Sequence, residues 1–203
     1  MNNIGSKYSP DTREFPAPSI LKTLEMLKQR TGTSGKIVEI GTCRMPLLHL
    51  LEELNRDCCL DGHSTAYWTK DHLTVSVDVD RQAIENVQTI CKALAQEKNL
   101  VTFNMDGIEY LKRRNEPIDL LFLDAWDVNL PESAERHLEA FQAAEHLLDF
   151  QSLVFIDDTD VDCVDGDLVW ADGISGKGKL VIPYAIEKGW HVVFSGRQTL
   201  LSK

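Results

Sequence analysis

The sequence predicts an α/β fold: a doubly wound sheet of seven strands, mostly parallel, with helices on both faces and an antiparallel strand from a C-terminal hairpin. Three observations carry this. Short apolar runs alternate with helical segments five times, the pattern of parallel strands joined by crossover helices. Two runs, Leu120–Leu123 and Leu153–Ile156, are too short for a helix and contain no polar residue, as expected of strands buried on both faces. The chain then closes with two runs around Gly196-Arg197, which read as a hairpin.

The elements follow in order. Residues 1–18 are mostly polar, carry Pro10, Pro16 and Pro18, and read as an arm or lid. Ser19 can cap an amphipathic helix with Leu21, Leu24 and Leu27 on one face, ending near Gly32. Residues 36–41 form a strand that runs into Gly41. Pro46 to Leu54 reads as an inserted amphipathic helix, and Gly62-His63-Ser64-Thr65 as the start of another. Strands are expected at 73–78, 100–105, 118–124, 153–157, 190–195 and 198–201. Helices are expected at 81–98, 108–114, 133–148 and 180–188, and residues 158–178 read as a long acidic loop. The whole is expected to be a single domain, with 42–61 as an insertion.

Composition narrows the function. The 203 residues carry a net charge of −11, which argues against nucleic acid as a partner, because phosphate binding needs basic surface. Five scattered cysteines (Cys43, Cys58, Cys59, Cys91, Cys163) form no CxxC pair and read as free thiols of a cytoplasmic protein. The first residues lack the apolar stretch of a secretory signal, and no apolar run is long enough for a membrane span. The polar arm and the edge hairpin are candidate surfaces for a homodimer.

Several strands end in acid, where ligands bind in open α/β sheets. Gly41 lets backbone approach a ligand closely, and Glu39 can accept a hydrogen bond from an ammonium or amide. Asp78, directly after the apolar part of its strand, is placed to take both ribose hydroxyls of a nucleoside. Asp80 reads as a helix cap. Asp106 and Gly107 suit an adenine edge, with Asp106 also capping the next helix. Asp124, Asp157 and Asp158 would converge and repel, at about 4 kcal/mol per pair at ~4 Å and an effective dielectric near 20. A proton, a basic side chain or a metal cation must offset this. No Lys or Arg lies within 119–130 or 151–176, so a divalent, oxygen-loving cation is the simplest expectation.

The motifs VEIGT, GHST, SVDVD, NMDGIEYL, DLLFLDAW and LVFIDD, in this order, resemble class I S-adenosylmethionine-dependent methyltransferases with a Rossmann-like sheet. Within that class the chain is most similar to the metal-dependent, catechol O-methyltransferase-like group, over roughly residues 36–202. The resemblance implies methyl transfer to a small hydroxylated acceptor. It puts Glu39 and Gly41 by the methionine part of the cofactor and Asp78 on its ribose, matches Gly62 and Ser64 to the glycine and serine that open the helix after the first strand, and counts these two and Thr42 among the cofactor-binding residues. Asp106, Gly107 and Ile108 would border the adenine, and Trp126 would cover it. Asp124, also beside the cofactor, would join Asp157 and Asp158 as ligands of a divalent metal such as Mg²⁺. Asp124 and Asp157 would be catalytic, with the metal lowering the pKa of the acceptor hydroxyl.

Two features depart from that group. About 20 residues separate Thr42 from Gly62, where the group has only a few, and Asp127 stands where the catechol enzymes carry a general-base lysine. An alternative of another class is a non-catalytic cofactor-binding or interaction domain that retains the fold. Other readings fall away: the acidic loop from Ile156 to Gly173 lacks an EF-hand register, no P-loop or G-x-S-x-G occurs, and no dinucleotide G-x-G-x-x-G follows the first strand.

Overall fold

The computed structural model describes residues 18–32, 35–44 and 64–203. The arm before residue 18, the inserted helix at 46–54, Gly62 and His63 lie outside the described residues. The elements are α1 (Pro18–Thr31), β1 (Lys36–Ile40), α2 (Ser64–Asp71), β2 (Leu73–Asp78), α3 (Arg81–Ala93), β3 (Leu100–Asn104), α4 (Gly107–Arg113) and β4 (Leu120–Leu123). Then come α5 (Ser133–Ala144), β5 (Leu153–Ile156), β6 (Val161–Val164), β7 (Asp167–Trp170), α6 (Val181–Glu187), β8 (His191–Phe194) and β9 (Thr199–Ser202).

Seven strands form one sheet in the order β3-β2-β1-β4-β5-β9-β8. The first five are parallel, and β9 runs antiparallel to both β5 and β8. This is the architecture expected from the alternating runs. The strand order reverses between β1 and β4, so a crevice opens at the carboxyl ends of those two strands.

Alternate residues of the central strands face opposite layers, as a period of two requires. Val38, Ile40, Leu121, Leu123, Val154 and Ile156 meet Ile108 and Leu111 of α4, Phe141 of α5 and Ala185 of α6. Ile37, Leu120, Phe122, Leu153 and Phe155 meet Ile20 and Leu27 of α1 and Trp68 of α2. Trp68 sits edge-on to Phe122 and Phe155, with centroids 5.5 and 6.1 Å away. The helices therefore cover both faces.

Three expectations are corrected. The segment 158–178 is not all loop: β6 and β7 pair as a separate two-stranded ribbon. Asp165 and Gly166 close it with φ of 54° and 92°, the positive values of a tight hairpin turn. The acid-rich composition hid this, although Asp-Gly between valine-containing runs was the available signal. The helix from Arg81 stops at Ala93 rather than Lys98, because Ala95 turns left-handed (φ 56°) and Gln96 N donates back to Cys91 O at 2.7 Å. Glycine usually takes that place, so an alanine gave no warning. Finally, α1 begins at Pro18, and the Ser19 hydroxyl bonds Gln198 instead of capping.

Candidate functional site

The crevice is built around Gly41. Its φ of 92° is left-handed, and a Cβ there would lie 2.6 Å from Asp124 O and 2.7 Å from Ala125 N. Only glycine lets the loop after β1 touch the loop after β4. Gly41 N donates to Val77 O, and the next amide, Thr42 N, donates to Asp78 Oδ2 at 3.0 Å. Asp80 N donates to Asp78 Oδ1 at 2.8 Å. Asp78 thus sits at the end of β2, beside the glycine turn, and its oxygens keep further lone pairs for a ligand. Burial raises its pKa, against the two backbone bonds.

Glu39 is placed differently from the expectation. It is fully buried beneath the crevice, and Ser64 Oγ (2.6 Å), Thr65 Oγ1, Trp68 Nε1 (3.1 Å) and Ser76 Oγ (2.8 Å) donate to its carboxylate. With four donors in place, it ties β1 to β2 and α2 and does not face a ligand. Ser64, the residue that opens α2, is likewise buried and turned towards Glu39. Thr42 is buried, and its hydroxyl lies 3.2 Å from that of Thr65. Burial pushes the Glu39 carboxyl up from 4.5 to about 7, against those hydrogen bonds.

On the far side of β2, Asp106 caps α4, accepting from Ile108 N at 2.9 Å and Glu109 N at 3.0 Å. Its other oxygen pairs with Arg136 at 2.7 Å. Gly107 packs directly on Ile40, where a Cβ would collide. The Ile108 side chain lies in the core, so only its backbone can border a ligand. Arg136 lies over one face of Trp126 at 5.0 Å, and His137 meets the ring edge-on at 5.3 Å. His137 is buried and neutral: burial and then Lys177 lower its pKa to about 3.

The acid triad converges as expected. Asp124 and Asp157 follow neighbouring strands whose last pair is Leu123–Ile156, and Asp157 N donates to Leu123 O at 3.1 Å. One carboxylate oxygen from each of Asp124, Asp157 and Asp158 lies within 4.8 Å of the others. The counter-charge is not the one anticipated. Lys177 Nζ stands among them, 2.7 Å from Asp124 Oδ1 and 3.1 Å from Asp158 Oδ2, in a residue only 1% exposed. Arg197 pairs with the other oxygen of Asp158. The basic side chain thus lies one residue beyond the segment that lacks one.

A hard divalent cation needs oxygen ligands at roughly 2.0–2.6 Å, and the Lys177 ammonium fills that place. The residues present therefore do not fit a metal. Burial works against the Lys177 charge, but Asp124, Asp158 and Asp157 outweigh it and raise its pKa. Burial and then the Asp158 and Asp124 charges push Asp157 well up. Asp158 is held below the ordinary carboxylate range because Lys177 and Arg197 outweigh its burial. Asp127 is engaged elsewhere, paired with Arg44 at 2.7 Å.

These features define the fold of class I S-adenosylmethionine-dependent methyltransferases. An rRNA methylase from Streptococcus thermophilus is similar at a TM-score of 0.57 and 14% identity, over 91% of this chain and 96% of that one. The O-methyltransferase TomG from Streptomyces achromogenes, in complex with S-adenosylmethionine (SAM), is similar at 0.53 and 18%, over 94% and 81%. An O-methyltransferase from Bacillus cereus, in complex with SAH, is similar at 0.56 and 14%, over 95% and 84%. No family model and no curated protein matches the sequence. At these identities the likeness establishes the fold.

The same neighbours overturn the expectation of no nucleic-acid partner, since this fold serves a protein described as an rRNA methylase. The net charge of −11 sums the whole surface, whereas a nucleic acid responds to the local field where it docks. No helix among the described residues is long and apolar enough to cross a membrane.

Proposed function

We propose that the chain is a SAM-dependent methyltransferase that transfers methyl to a hydroxyl oxygen of its acceptor. The observation that carries this is Asp78 at the end of β2, joined through Thr42 N to the Gly41 turn. That pairing offers a ribose-binding carboxylate beside a backbone turn free of a Cβ. The O-methyltransferase neighbours with SAM or SAH support the same donor. Ribose on Asp78 would direct the adenine towards Asp106 and Trp126. The methionine end would then run over Gly41 towards Asp124. The Cys91 and Cys163 thiols, which form no disulfide, support a reducing, cytoplasmic setting.

The acid crevice is the acceptor side. Asp124 and Asp158 are held by Lys177 and Arg197, so Asp157 is the member of the triad left to meet an acceptor. Its carboxylate would accept the hydroxyl hydrogen and keep that proton, while SAM, held at Asp78 and the Gly41 turn, would supply the methyl group and depart as SAH with the electron pair of the broken methyl–sulfur bond. Positioning supplies the main part of such a rate enhancement.

Calorimetric titration of SAM tests the donor site. Asp78→Asn is expected to weaken binding about 10–100-fold, as losing charged hydrogen bonds of roughly 1.5–3 kcal/mol implies. Unchanged affinity in the variant would remove Asp78 from the donor site. Absence of SAM binding by the wild type would turn the reading to a non-catalytic domain. Transfer of labelled methyl to a panel of hydroxylated small molecules and RNA then reads the acceptor, and Asp157→Asn should abolish it while SAM binding persists.

A further inference from the structure

We infer that Lys177 is the resident cation of the acid crevice: its ammonium takes the place of a divalent ion, fixes Asp124 and Asp158, and leaves Asp157 open. The inference rests on the acceptor-side reading only for what the crevice serves. The charge geometry stands without it.

Three observations carry it. The first is position. Nζ lies 2.7 Å from Asp124 Oδ1 and 3.1 Å from Asp158 Oδ2, and these two acids belong to different strand ends. An ammonium has three donors, and here they bind together loops that would otherwise repel.

The second is how the lysine is delivered. It sits in the one-turn helix Gly176–Gly178, which is fastened to the chain that carries the acids. Gly176 has a φ of 48°, and a Cβ there would run into the carbonyls of Asp158 and Val161. Lys177 N donates to Asp158 O at 3.2 Å, and Ser175 N to Thr159 O at 2.8 Å. Ser175 Oγ donates to Asp162 Oδ2 at 3.0 Å. A side chain carried on such a turn, and 1% exposed, is a built part of the site rather than a surface lysine that has swung in.

The third is charge. Arg197 covers the remaining oxygen of Asp158 and lies over Trp170 at 5.8 Å. Two fixed cations therefore stand against three carboxylates. A divalent ion entering beside them would meet Lys177 at about 4 Å or less, a strongly repulsive distance in a partly dry crevice. Lys177 is a positioning residue: an acceptor reaches Asp157, not the enclosed ammonium.

The test is titration of Mn²⁺ into the full chain, read by the paramagnetic signal of the free ion and by calorimetry. The wild type is expected to show no stoichiometric site. Lys177→Met, similar in length but neutral, should create one, at least about 100-fold tighter than the wild type, and Asp157→Asn in that background should remove it. Mn²⁺ should also raise the melting temperature of Lys177→Met and leave that of the wild type unchanged. A stoichiometric wild-type site that Asp157→Asn abolishes would overturn the inference, as would a folded Lys177→Met protein without a site. Lys177→Gln serves as the second variant if the methionine protein does not fold. Neither donor nor acceptor enters these titrations, so their outcome is distinct from success or failure of methyl transfer.

Discussion

Replacing Glu39 by alanine is expected to lower the free energy of unfolding by about 3–6 kcal/mol, the order of a small protein's entire stability. The carboxylate is fully buried and receives Ser64, Thr65, Ser76 and the Trp68 indole. Removing it strands several buried donors at once, each at a cost of about 1–3 kcal/mol. It also unties β1 from α2, whose Trp68 fills the layer against Phe122 and Phe155. Urea unfolding at pH 6 measures the loss. A change under about 1 kcal/mol would mean that water replaces the carboxylate without penalty. Glu39 also makes stability depend on pH in a definite sense. In the unfolded chain it ionises near 4.5, while in the fold it keeps its proton to about 7. The folded state binds the extra proton across that window, so its stabilising effect is complete below 4.5 and is lost as the pH rises through 7. The shift corresponds to about 3 kcal/mol between pH 5 and 8. Glu39→Gln cannot ionise and should lack this component. Parallel pH profiles for the two proteins would remove Glu39 as the source.

Gly41→Val is the second large effect, expected to destabilise the protein by more than about 3 kcal/mol. A left-handed φ costs a β-branched residue about 1–2 kcal/mol. The added carbons would also strike Asp124 O, Ala125 N and Asp124 C at 2.6–2.7 Å. All three are backbone atoms at the end of β4, so no flexible side chain can give way. Relief requires the loop carrying Asp124 to move, which would part Asp124 from Lys177. Denaturation and SAM titration should therefore fail together. A stable Gly41→Val protein that binds SAM normally would show that the β1 and β4 loops need not touch.

The alternation of apolar runs and helices was sufficient for the sheet, and the acids at strand ends were legible beside it. Both signals are local: strand burial and the period of two are written in consecutive residues. Asp80 and Asp106 were legible as caps for the same reason, since each bonds amides two or three residues ahead. The β6–β7 ribbon was half legible, because its Asp165-Gly166 turn is a local signal within an acid-rich run.

The triad illustrates both sides. Its convergence follows from three acids that end neighbouring strands, and the need for a counter-charge follows from Coulomb's law. The identity of that charge does not, because Lys177 lies 53 residues from Asp124 in the chain and Arg197 belongs to the turn before β9. Glu39 is similar: its donors come from α2 and β2, 25 to 37 residues away. The sequence alone determined the sheet, its helices and the acids at its edge, since short-range periodicity and charge placement govern these. Only the tertiary structure decided which of those acids is enclosed and which cation stands among them. Burial and ion pairing depend on residues that meet only when distant segments pack.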